Sequence, residues 1–214
     1  MALVPSPVWR DPMTESGNTP GDLCGDDDVG ADVAPWALET KADPDTFRAA
    51  MGRVVGSVTV VTTRHDGRAW GMTVSAFNPV CMEPPTVLVC VNARTVTAAD
   101  IHRESRFGVN LLSQDQLPVS QLCSRAGAVK YVDDHVVASS QLPAEVTSPV
   151  LRNSLVTFDC EVTEARTVGS HLVVMGQVRA VLAPDSRRPL LYGQGRYQRS
   201  VDIEELLTMT EAAA

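Results

Sequence analysis

The side chains that most often carry chemistry are few and scattered in this sequence. Five cysteines (Cys24, Cys81, Cys90, Cys123 and Cys160) form no CxxC pair. The four histidines (His65, His102, His135 and His171) show no metal-ligand spacing with one another or with cysteine. That pattern argues against a structural zinc site, and no metal is expected. An odd cysteine count, with three of the thiols in strand-like runs, predicts reduced and mostly buried thiols. Hydrolytic signatures are missing: there is no GxSxG, no HExxH and no Walker A lysine. No GxGxxG opens a helix after a strand, and "GQGRYQ" (193–198) places only two glycines in a late turn. A chain with so little acid–base equipment must borrow its chemistry from a cofactor if it is an enzyme.

One polar constellation stands out in "GMTVSAFNPVCMEPPTVLVC" (71–90), where Thr73, Ser75 and Asn78 precede the rigid pair Pro84-Pro85. No acid, base or thiol pair accompanies them. Two readings are open. The segment is a strand with one wet face, or its backbone edge is shaped for a flat, hydrogen-bonding ligand.

The elements that must position such residues are readable in outline. Residues 1–43 hold nine acids and two bases, against 17 and 16 in the rest of a chain of net charge −8. Rich in Pro, Gly and Asp, this stretch is expected to be a disordered acidic tail, with one domain over 44–214. Asp43 and Pro44 mark a helix start, with Phe47, Ala50, Met51 and Val54 on one apolar face and Gly56 as its end. "SVTVVTTR" and "AWGMTVSAF" read as a hairpin around "HDGR", and "TVLVCVN" as a buried strand. A helix over 95–105 is expected to be capped by Thr97, with Asp100 in its first turn. "RFGVNLL" is a strand, and Ser113 with Gln116 is a capping pattern for a helix that Pro118 delays. "SLVTFDCEVTEAR" and "HLVVMGQVRAVLA" make a second hairpin, "PLLYGQGRY" a short strand and turn, and "DIEELLTMTEA" a closing helix. Six or seven largely antiparallel strands with a few short helices fit an antiparallel β-barrel.

Composition bounds the partners. With 214 residues, 44% hydrophobic and 21% charged, the chain suits a soluble globular protein. The near-neutral body offers no basic footprint for nucleic acid, and no apolar run is long enough to span a bilayer. Without a signal-peptide pattern at the start, the expected compartment is the cytoplasm.

"FRAAMGRVVGSVTVVTTRHDGRAWGMTVSAFNPVCMEPPTVLVCVNARTVT", "RFGVNLLSQDQ", "SPVLRNSLVTFDCEV", "GSHLVVMGQV" and "PLLYGQGRY" occur in order over about 46–198. Together they resemble the flavin reductase-like, FMN-binding split-barrel family. The resemblance implies an antiparallel split β-barrel with peripheral helices, a homodimer with flavin near its interface, and NADH or NADPH as hydride donor. It implies reduction of FMN or FAD and delivery of reduced flavin to a partner flavin-dependent monooxygenase. The other reading is a flavin-binding split barrel without catalysis. Gly71, Met72, Thr73, Ser75 and Ala76 match the flavin strand. Its small side chains would let backbone groups meet the ring's pyrimidine edge. Val91, Asn92, Thr95, Val96 and Thr97 match the loop for ribityl and phosphate, with Arg94 nearby; Lys130 matches a basic position. His171 matches the histidine of a "GDH" segment beside the nicotinamide, and Arg196 and Tyr197 match a late turn contacting pyridine nucleotide. Ser170 stands in place of the usual aspartate, Cys81 where serine is common, and Leu122-Cys123 in place of an Arg-Phe pair. Cys81 is expected to be a small buried substitute.

Overall fold

The computed structural model describes residues 43–184 and 187–203. The acidic tail, apart from Asp43, and the closing helix, apart from its first two residues, lie outside them.

Helix α1 (Pro44–Met51) starts as the sequence predicts: the Asp43 carboxylate accepts the Asp45 and Thr46 N–H groups at 2.9 and 3.1 Å. It stops sooner, at Gly52 rather than Gly56. Its expected apolar face is uncovered, with Phe47, Met51 and Val54 all exposed. Periodicity tells which residues share a face, not what covers it.

The strands follow as β1 (Gly56–Ser57), β2 (Thr59–His65), β3 (Arg68–Val74), β4 (Phe77–Met82) and β5 (Pro85–Asn92). After helix α2 (Val96–Glu104) come β6 (Arg106–Leu111) and helix α3 (Leu117–Ser124). A long irregular stretch then leads to β7 (Val156–Val168), β8 (His171–Leu182), β9 (Leu190–Gly193) and β10 (Arg196–Arg199). Seven strands form one antiparallel sheet in the order β3-β2-β6-β7-β8-β5-β4, and β1-β9-β10 form a small second sheet. β3 and β4 are the two unclosed edges of the large sheet, so the barrel is split between them.

Two expected strands are broken. Val58 bridges β1 and β2, giving its N–H to Leu190 O and accepting from Leu112 N–H, both at 2.9 Å. It thereby hands the chain from the small sheet to the large one. The run "AWGMTVSAF" ends at Val74, turns at Ser75–Ala76 and restarts as β4. The turn from β4 to β5 carries a cis Glu83–Pro84 peptide bond. β5 is buried on one face only: Val87, Val89 and Val91 point inward, while Leu88, Cys90 and Asn92 are partly exposed.

The main core joins Val61, Val89, Ile101, Phe107, Val109, Cys160 and Val174. Phe107, wholly buried, lies so close to Gly176 that a Cβ there would fall 2.5 Å from its ring. Burying a ring of that size is worth about 2–3 kcal/mol, and a glycine across the barrel makes the space. A second core (Val58, Val60, Leu112, Cys123, Leu151, Leu190) lies partly beneath α3. Pro118 falls in the first turn of α3, and the Ser113 N–H donates to Gln116 Oε1 at 2.9 Å just upstream. Cys123 and Cys160 are buried thiols, as expected, and all four described cysteines are free. Cys81 is exposed, contrary to expectation: β4 is an edge strand, and Sγ lies 3.1 Å from Pro84 O in the turn.

Candidate functional site

The constellation at 71–76 sits on the free edge of β3. Gly71 donates its N–H outward to Lys130 O at 3.0 Å, and Ala69 O accepts from Val132 N–H at 2.9 Å. Ala69 N–H donates to Asp133 Oδ1 at 2.9 Å. The segment 130–133 therefore covers the first half of the edge. In an antiparallel pair alternate residues turn their backbone groups to the same side. Thr73, paired with Val60, thus shares the outward direction of Gly71, and its N–H and C=O have no partner among the described residues. A short strip of unpaired backbone remains between residue 71 and the turn at exposed Ser75.

The side chains around that strip differ in part from the sequence expectation. Gly71 is buried, and its missing Cβ makes room for α3: a Cβ would meet Cys123 Sγ at 2.7 Å and Val132 at 3.2 Å. The space a Cβ would need at Gly71 is taken up by packing on α3 and Val132. Met72 packs on the main core. Thr73 Oγ1 donates to Ser120 O at 2.9 Å, and Ser120 Oγ lies 2.9 Å from Tyr197 Oη. Ser120 thus ties the predicted Thr73 to the predicted Tyr197. No local motif marks it, because its role exists only once α3 crosses β3. Tyr192 meets the Tyr197 ring edge-on at 5.2 Å. Arg196 is exposed and donates to Gln194 Oε1 at 3.1 Å; no described contact joins it to Thr73, Asn92 or His171.

Lys130 adds charge beside the strip. Its ammonium is half-buried and forms no ion pair among the described residues. Burial lowers its pKa from the ordinary lysine value. The neighbouring Cys123 thiol is pushed up to about 12 by its own burial, so it is inert as a nucleophile.

The second group is the loop into α2. Thr95, not Thr97, caps this helix, its Oγ1 accepting the Ala98 N–H at 3.3 Å. Thr95 also donates from Oγ1 to Asn92 O at 2.7 Å, and Asn92 Oδ1 accepts the Arg94 N–H at 3.0 Å. With Ala98 N–H taken by the cap and Ala99 N–H by Thr95 O, the Val96 and Thr97 N–H groups have no partner among the described residues, and of the two only Val96 is partly exposed and open to an anion. The side chains of Val91 and Thr97 cannot take part, since both are fully buried. Thr97 Oγ1 is unpartnered in its buried position. Asp100 lies in mid-helix and is also fully buried.

The structure joins this loop to His171. Asn92 and His171 are register partners across β5 and β8, and Ala93 N–H donates to Ser170 O at 3.0 Å. The exposed His171 holds its Nδ1 3.0 Å from Ser170 Oγ, which leaves Nε2 outward. Ser170, at the position where the resembled motif has aspartate, thus contacts the ring through its hydroxyl. Leu122, in place of an arginine, packs against the second core.

The arrangement could take a flat ring with a donor–acceptor edge and a phosphate tail: unpaired backbone for the edge, a partly buried cation, and an open helix-start N–H. The flavin reductase-like domain matches residues 51–200. The reductase subunit HsaB of a flavin-dependent monooxygenase from Mycobacterium tuberculosis is 33% identical over 162 residues, 75% of this chain and 84% of that protein. The FMN reductase (NADH) RutF 1 of Methylorubrum extorquens is 34% identical, covering 73% of this chain and 76% of its own. The crystal structure of nitrilotriacetate monooxygenase component B from Mycobacterium thermoresistibile superposes with a TM-score of 0.66 at 30% identity, over 75% of this chain and 88% of that one.

Proposed function

The chain belongs to the family of flavin reductase-like domains, and on that footing we propose how its residues work. It is an NAD(P)H-dependent flavin reductase that passes reduced FMN or FAD to a partner monooxygenase. The observation that carries the site assignment is the half-covered edge of β3. The Thr73 N–H and C=O face outward beside Lys130 with no partner among the described residues.

When bound, the flavin accepts a hydride from the dihydronicotinamide, so no side-chain nucleophile is required. The protein positions. The Thr73 backbone and the Ser75–Ala76 turn hold the pyrimidine edge of the ring. Asn92 and Thr95 shape the loop, and the Val96 N–H at the helix start would receive the phosphate. Lys130 offers positive charge to an anionic group. His171, oriented by Ser170, hydrogen-bonds the nicotinamide carboxamide through Nε2, and Tyr197 steadies Thr73 through Ser120. Holding both rings in one geometry is the main rate advantage such a site can supply. Arg196 reaches the pyridine nucleotide from the small sheet. The active form is a homodimer in the cytoplasm, with NADH as the preferred donor because no cluster of bases marks a 2′-phosphate site. Among the described residues no helix is long and apolar enough to cross a membrane.

The test is NADH consumption by purified protein with and without added FMN or FAD. Flavin-dependent turnover is expected. Tight flavin binding with no turnover from either NADH or NADPH would make the chain a binding protein instead.

A further inference from the structure

Asp100 is a carboxylate the mechanism does not use, yet it is wholly buried and fully engaged. Its Oδ2 accepts from Thr63 Oγ1 at 3.1 Å, and its Oδ1 meets His65 Nδ1 at 3.1 Å and Arg103 Nη2 at 2.7 Å. Arg103 also donates to Arg64 O at 2.9 Å. Three consecutive β2 residues, Thr63, Arg64 and His65, are thus tied to α2 through two residues one turn apart. Every one of these ties falls on the second half of α2. The first half carries the loop assigned to phosphate. Ala98 and Ile101 hold α2 on the core only through non-directional apolar contact. Such contact tolerates sliding and rotation; hydrogen bonds of fixed direction do not.

We propose that Asp100 is a positioning residue for flavin phosphate: it pins α2 to β2 so that the partly exposed Val96 N–H at the helix start stays aimed at the anion. This rests on the assignment of that loop to phosphate. A purely electrostatic role would act with the opposite sign. Asp100 follows Val96 by four residues, about 6 Å along the helix. Its negative charge, if it acted directly, would repel a phosphate, and removing it would tighten binding. Positioning predicts weaker binding instead.

The experiment compares FMN with riboflavin, the same ring without phosphate, in wild type and in Asp100→Asn. Binding is read by flavin fluorescence, and NADH turnover is measured with each flavin. Asp100→Asn is expected to raise the FMN dissociation constant about tenfold, a 1.4 kcal/mol change, and leave riboflavin binding within about twofold. The double variant Thr63→Val/Arg103→Met removes two of the three partners, leaving His65, but keeps the carboxylate, and is expected to show an FMN-selective loss in the same direction. It reports if Asp100→Asn does not fold. Equal losses for both flavins, no loss, or tighter FMN binding would overturn the proposal. If wild type itself binds FMN no better than riboflavin, the phosphate assignment of the loop fails first.

Discussion

His171 is held by Ser170 Oγ on one nitrogen and stands next to Asn92 in the ladder. His171→Ala is expected to slow flavin reduction about tenfold or more in single-turnover measurements, with flavin affinity nearly unchanged. An unchanged rate would remove it from the mechanism. Lys130 supplies a prediction in pH. A lysine binds an anion only when protonated, and burial lowers its pKa. FMN affinity should therefore fall as pH rises through a value below the ordinary lysine range, while riboflavin affinity stays flat. Lys130→Met should abolish the difference, read by titration across alkaline pH. Gly71 is a packing position. Gly71→Ala places a Cβ 2.7 Å from Cys123 Sγ and should cost about 1–3 kcal/mol by thermal or urea unfolding. Adding Cys123→Ala should recover part of that loss.

At the scale of elements, α2 is held by polar ties at one end and by a cap at the other. Thr95→Ala removes the cap and one side of the Asn92 loop; a loss of about 1 kcal/mol in stability is expected, with weaker FMN binding. Thr95→Ser should restore both, read by melting temperature and fluorescence. The elements legible in sequence were those with their own punctuation. The β7–β8 hairpin is long, β-branched and closed at Gly169 (φ +56), so its bounds follow from composition. Asp43-Pro44 and the delaying Pro118 fixed two helix starts for the same reason. What failed depends on distant partners. The break at Ser75–Ala76 comes where the chain leaves β2 as its partner and takes up β5, a change that no local pattern marks. The packing demand on Gly71 is not legible in sequence, because Cys123 reaches it only after α3 folds over β3. Ser120 carries no local signal, and Asp100 is legible only as a helix acid, since Thr63 and His65 meet it from β2. Thr97 was chosen over Thr95 as cap because both are hydroxyl residues at a helix start, and only backbone geometry separates them.

At the scale of the molecule, the strip on β3 opens toward the split in the barrel, next to β4. All of β4 beyond Phe77 is exposed, including Val80 at 48% and Met82 at 85%. An edge strand bearing large apolar side chains is unusual without a partner, which makes β4 the candidate contact of the homodimer proposed above. Val80→Glu/Met82→Glu is expected to shift the protein from dimer to monomer in light scattering and to lower flavin turnover with it. A dimeric variant with full turnover would place the contact elsewhere.

The uncovered half of β3 has a further consequence. Unpaired backbone on a strand edge is also a template on which another chain can add as a strand. The strip proposed to hold flavin is therefore also a point open to clumping whenever flavin is scarce. Added FMN should lengthen the life of the purified protein in storage well beyond what its effect on melting temperature would suggest, because the ring and an intruding strand compete for the same few hydrogen bonds.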